Sequence, residues 1–292
     1  MAGVSVRTKY ENSSMNRWNT PSTAAVWRLI LVRMRSAKTV VVTCAMVCAT
    51  AMAFRAPRET SLDELKLLRT LDLEGATNHV QGVDTDGTMA WITSVDTPNR
   101  KGNLHEYSVS TGVRRRVLEI QDGARFHPGG LSSDAAALWL PVAEYRANST
   151  SVIQRRNKKN LELDFQFAVA DHIGCIAVTP TLLIGGNWDS RDFYVWDHQG
   201  KLIRKIISST KNAYQDMKFD GEYVVASGLL QDKSGAIDWL DLQSLKLVHR
   251  MKAGKTDRGA SFTREGMGIH ADQLWLLPED QPSRLFVFGL GR

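Results

Sequence analysis

From Leu65 onward the chain is written in short runs in which apolar and polar residues alternate, each run closed by a turn-forming segment. "NLHEYSV", "SVIQR", "DFYVWD", "AIDWLD" and "RLFVFGL" are such runs, and "RRRVLEI", "LELDFQF", "LIRKIIS" and "LKLVHRM" form a second series. Period-two alternation with β-branched and aromatic enrichment predicts strands that bury one face. A helical period is nearly absent, except at "SLDELKLL" (61–68), where a Ser cap predicts a turn of helix.

The runs recur with a period. Strand openings align at His79, His127, His172, Gln215 and Glu265, with steps of 48, 45, 43 and 50 residues. That spacing suits one four-stranded propeller blade. Inside each unit a tight turn follows the first run ("DTDG", "SSD", "TPT", "FDG", "HAD"). The second run then places Trp91 and Trp139 12 residues after their histidines, and Trp275 10 after Glu265. The fifth unit ends after three strands, and "LKLLRTLDLE" (65–74) supplies a fourth from the other end of the chain. Closing the ring in this way removes an exposed sheet edge. The expected fold is all-β: a five-bladed β-propeller of four-stranded blades, closed by an N-terminal strand in the last blade.

In such a ring the loops entering each first strand share a face with the loops joining second and third strands. On that face the loops are long and polar: "SVDTPNRKG", "VAEYRANST", "GNWDSR", "LLQDKSG" and "PEDQPS". Rigid scaffolds carry function on such loops, so this is the expected ligand face. The openings add His79, Gln81, His127, Asp171, His172, Tyr214, Gln215, Asp216 and Glu265 around the axial channel. Glycines at 82, 129, 130, 174, 266 and 268 would let five strands converge there. Trp91, Trp139, Trp239 and Trp275 lie inside strands and read as core.

Imidazoles beside carboxylates suit either a general acid–base pair or a metal with its orienting groups. His127, His172, Asp171 and Glu265 are the candidate catalytic groups. Asp171, His172, Asp216 and Glu265 are the candidate metal ligands, for Ca²⁺ through oxygens or Zn²⁺ through histidines with one carboxylate. Ligand binding is expected at His79, Gln81, Glu144, Tyr145, Asn187, Trp188, Arg191, Tyr214, Gln215, Glu279 and Asp280. Trp188 could stack on a sugar and Arg191 could hold an anion, so the expected partner is a small molecule or carbohydrate. Two functions fit: a metal-assisted hydrolase or lyase on a small substrate, or a non-catalytic binding or scaffold propeller using the same face.

The net charge of +6 does not redirect this reading towards nucleic acid. Seven of the 37 basic residues and one of the 31 acidic ones, Glu11, fall in residues 1–53, so the remainder carries 30 of each sign. A neutral body without a basic, aromatic-interleaved stripe is a poor nucleic-acid binder. "MRSAKTVVVTCAMVCATAMAFRAP" (34–57) instead has a basic start, a 14-residue apolar run from Thr39 to Met52, and small residues at Ala51 and Ala53. That is the layout of a secretory signal over 34–53, cleaved after Ala53. Residues 54–62 then read as a linker and 63–292 as the propeller. Residues 1–33 read as a non-native upstream extension or disordered stretch, with translation starting at Met34. The expected destination is the periplasm or the exterior, with no stable membrane span after cleavage. The alternative is an anchor through residues 39–54, although that run is shorter than the roughly 20 residues a spanning helix needs.

The motifs "HVQG" (79–82), "HPGG" (127–130), "DHIG" (171–174), "GGNW" (185–188), "YQD" (214–216), "EGM" (265–267) and "LLPED" (276–280) resemble those of an uncharacterised family of secreted bacterial β-propeller proteins. The resemblance implies fold and export, and it carries over no catalytic residues.

Overall fold

The computed structural model describes residues 57–291. Within them five antiparallel four-stranded sheets follow one another as blades. The first holds His79–Thr85, Met89–Asp96, Lys101–Ser108 and Arg114–Glu119. The second holds His127–Pro128 and Ser132–Ser133 as its broken inner strand, then Ala137–Ala143, Ser151–Asn157 and Leu163–Val169. The third holds Ile173–Val178, Leu182–Asn187, Asp192–Asp197 and Leu202–Ile207. The fourth holds Ala213–Phe219, Tyr223–Leu229, Gly235–Asp241 and Leu247–Ala253. The fifth holds Glu265–His270, Gln273–Pro278 and Arg284–Gly289, closed by Lys66–Asp72 pairing antiparallel with Arg284–Gly289. The five-bladed ring closed from the N-terminal side is thus the observed fold.

The expected turn of helix is a 3₁₀ turn at Leu62–Glu64, fixed by a reciprocal capping box between Ser61 and Glu64. Just before it, the segment read as linker departs from expectation. Arg58–Ser61 runs parallel to Leu247–Ala253 as a fifth strand on the fourth blade. Four residues held by backbone pairing, with no buried face of their own, leave no alternation to read. The expected signal peptide and upstream stretch lie outside the described residues. Among the described residues no helix is long and apolar enough to cross a membrane.

Blade packing buries Trp91, Trp139 and Trp275 almost completely, and Trp239 nearly so, as core. At the axis the inner strands meet backbone to backbone. A Cβ on Gly129 would lie 1.9 Å from the Gly174 carbonyl oxygen, and one on Gly130 2.5 Å from that of Gln215. Glycine is obligatory at both places. Gly174 and Gly268 do not meet such crowding, with nearest atoms at 3.9 and 3.4 Å. An ion pair fastens the same junction. Asp216 accepts from the backbone N–H of Val83 and Met267 at 3.0 Å each, and from the Lys218 ammonium at 2.6 Å. Lys218 also donates to the Leu131 carbonyl at 2.6 Å. One carboxylate and one ammonium therefore tie the first, second, fourth and fifth blades together at the centre.

Candidate functional site

The inner strands do not run straight into the channel mouth. Pairing slips by one residue at Gln81 in the first blade, at Gly174 in the third and at Gln215 in the fourth. Such bulges re-aim a side chain. In the second blade Gly129 and Gly130 break the strand, and in the fifth Glu265 takes φ = 112°. Trp91 pairs with Asp84, Trp139 with Ser132 and Trp275 with Gly268, which places Glu265 in the tier of Gln81. Gln215 shares that tier through its bulge. The sequence alignment had set Gln215 and Glu265 beside the three histidines; the structure moves both deeper, and Ala213, paired with Leu229, and Arg264, bonded to Glu279, occupy the places equivalent to the histidines.

These tiers line a cavity of about 620 Å³ at the channel mouth. Its acidic side is made by the first and fifth blades. His79 Nδ1 lies 2.6 Å from Glu279 Oε2, and this bond raises the imidazole's affinity for a proton against the effect of burial. Beside them Glu265 is buried, and burial pushes its carboxyl up to about 7; His79 pulls it down and the Glu279 charge pushes it up. Arg264 Nε reaches Glu265 at 3.5 Å. One potential ligand atom from each of His79, Glu265 and Glu279 falls within 4.8 Å of the others, the one such group of three among the described residues.

The second and third blades build the facing wall. His172 Nδ1 is 2.9 Å from the Arg146 carbonyl, so it carries the proton, and Nε2 accepts from His127 Nδ1 at 3.3 Å. The relay leaves His127 Nε2 as an acceptor. Burial, with the neighbouring imidazoles, holds His127 down to about 3, and burial also lowers His172. Both rings therefore stay neutral at physiological pH. Tyr145 stacks on His127 with ring centres 4.3 Å apart, and Trp188 meets His172 edge-on at 4.6 Å.

Backbone strain gathers at the same place. Asn78, Asp189, Ser190 and Lys233 have φ of 55°, 58°, 48° and 66°, and Glu265 lies outside even the left-handed basin. Residues held there cost roughly 1–3 kcal/mol each and cluster at functional sites.

Of the residues expected from sequence, His79, Gln81, His127, Tyr145, His172, Asn187, Trp188, Tyr214, Gln215, Glu265 and Glu279 border the cavity. The others stand apart. Asp171 accepts from Asn187 Nδ2 (2.9 Å) and Tyr194 OH (2.7 Å), bracing the wall from behind. Asp216 is spent on the axial ion pair. Glu144 holds Arg146 and Thr150 within its own loop. Asp280 is buried between Arg258 and Arg284, and Arg191 is exposed beside the site. The expected metal quartet of Asp171, His172, Asp216 and Glu265 is not brought together. Sequence reasoning placed the loop of Lys233 on the ligand face without singling out the lysine, and read the loop of Lys255 as plain surface; both lysines border the cavity.

Residues 95–231 match DUF6454, a family of unknown function. No curated protein sequence matches the chain. Among solved structures, Myxococcus xanthus glutaminyl cyclase superposes with a TM-score of 0.61 at 11% identity, covering 80% of this chain and 99% of that one. The Neurospora crassa Pan2 WD40 domain gives 0.47 at 8% identity, covering 78% and 96%. Kuenenia stuttgartiensis hydrazine synthase gives 0.43 at 15%, covering 71% and 56%.

Proposed function

We propose that the protein is an exported enzyme that moves a proton on a small substrate held at the channel mouth, with Glu265 as the general base. The observation that carries this reading is Glu265 itself. Its carboxyl is buried, held in a costly backbone conformation and pushed up to about 7, next to the His79–Glu279 pair. A base poised near the working pH is the condition for efficient proton transfer. Glu279 and His79 position the reacting group, while His127 Nε2 accepts a hydrogen bond from the substrate.

The superposing glutaminyl cyclase suggests the first substrate to try, a peptide with an N-terminal glutamine. Glu265 would take a proton from the α-amine as that nitrogen attacks the γ-carboxamide carbon. The proton would then leave with the departing amide nitrogen as ammonia. Both are movements that one carboxyl of this kind can serve in turn. The test is ammonia release from N-terminal glutaminyl peptides by the wild type and by Glu265→Gln.

A second reading has its own support in the His79, Glu265 and Glu279 group. One imidazole nitrogen and two carboxylate oxygens suit Zn²⁺ with an open position better than Ca²⁺, which prefers six or more oxygens. Such an ion would supply Lewis acidity to a bound carbonyl. Elemental analysis of the purified protein and of His79→Ala separates the two: stoichiometric metal lost in the variant favours the second.

A further inference from the structure

The cavity is lined by two chemically distinct sets of groups, and the reaction uses one. Apart from the His79, Glu265 and Glu279 group, the loops of the fourth and fifth blades bring Lys233 and Lys255 to the lining of the cavity. Neither lysine side chain makes a hydrogen bond or ion pair among the described residues, whereas acidic partners engage many other cations of the protein, such as Lys101, Lys205, Lys218 and Lys252. Lys233 is also held at φ = 66°, in a turn closed by its N–H on the Leu230 carbonyl at 3.0 Å. A left-handed turn position favours Gly or Asn, so a lysine there costs conformational energy that its side chain does not recover within the protein. The carboxylates that border the cavity from the fifth blade, Glu265 and Glu279, face His79 and Arg264, and Asp189 of the third blade, the other carboxylate on the lining, makes no ion pair with either lysine. Two cations without an ion-pair partner are thus left on a lining that also carries Tyr145 and Trp188.

We propose that the substrate carries a carboxylate, received by Lys233 and Lys255, at the end remote from its reacting group. Resting on the reading above, this makes the substrate class acidic peptides, with the acid supplied by a side chain or by the chain terminus. Paired ammonium groups fix a carboxylate by charge rather than by geometry, so either source would serve.

Calorimetric titration with three dipeptides tests this: Gln-Glu-amide with a side-chain carboxylate, Gln-Gln with a terminal one, and Gln-Gln-amide with neither. At low ionic strength one or both acidic peptides should bind about fivefold or more tighter than the diamide, the sum expected of two solvent-facing ion pairs. The ratio should fall towards one in Lys233→Met/Lys255→Met and in high salt. Which acidic peptide shows the gain identifies the carboxylate's source. Equal binding of all three, a ratio that survives the double substitution, or no binding by any of them overturns the proposal. Because binding is read without turnover, the two readings fail separately. A charge preference without ammonia release leaves the carboxylate site and removes the reaction, and ammonia release without a preference does the reverse.

Discussion

His79 Nδ1 and Glu279 Oε2 lie 2.6 Å apart and join the first blade to the last, across the seam where the ring closes. The carboxylate is the main reason His79 holds its proton more tightly than an ordinary imidazole. Glu279→Gln should therefore lower the His79 midpoint, by proton NMR titration, to or below its ordinary value of 6.5, since burial then outweighs the remaining pull of the Glu265 charge. In the wild type, a raised folded-state value gives stability that is present below the unfolded value and lost as pH rises through the folded one. Both side chains are about 30% exposed, so the variant should lose well under 1 kcal/mol at pH 5.5 and nothing at pH 9.

Glu265 should be costly to the fold. Its value of about 7 exceeds the ordinary 4.5, so the folded state resists ionisation. Wild-type stability should fall as pH rises between those values and level off above them. Replacing the carboxyl by an uncharged isostere removes that penalty. In urea unfolding, Glu265→Gln should match the wild type near pH 4 and exceed it by about 3 kcal/mol at pH 8.

The Asp216–Lys218 pair should behave as one unit. Either Asp216→Asn or Lys218→Met strands a buried partner and should cost about 3–5 kcal/mol. The double variant should cost less than the sum of the two, which a double-mutant cycle in denaturant would measure.

Two neighbouring glycines should respond in opposite ways. Gly129→Ala drives a methyl onto a carbonyl oxygen at 1.9 Å and should destabilise by more than about 3 kcal/mol or prevent folding. Gly174→Ala, with nothing nearer than 3.9 Å, should stay within about 1 kcal/mol of the wild type in thermal or urea melts.

The ring could be read because its signals are local: alternation, turn residues, and a tryptophan in the second strand of three blades, 12 residues after the opening histidine in two of them. The closing strand at 65–74 followed from counting strands. What could not be read depends on partners distant in sequence. Asp216 looked like a ligand, but its donors come from Val83, Met267 and Lys218, and residues of three different strands cannot be matched from spacing. The alignment of Glu265 with the histidines failed because the inner strands of the first, third and fourth blades carry a bulge and that of the fifth does not, and a bulge adds a residue without leaving a mark in composition. Lys233 was not singled out within its ligand-face loop and Lys255 looked like ordinary surface charge, since a lysine declares itself only when the structure shows that it faces a cavity and has no partner.

The central claim is that Glu265 moves the proton. The most direct test is the pH dependence of ammonia release from an N-terminal glutaminyl peptide by the wild type and Glu265→Gln. The account predicts a wild-type kcat/KM that rises with pH through an apparent midpoint near 7, matching the Glu265 carboxyl. It also predicts at least about a 100-fold loss in the variant, the usual contribution of a positioned base. A variant that retains wild-type activity, or a wild type that releases no ammonia from such peptides at any pH, would contradict it.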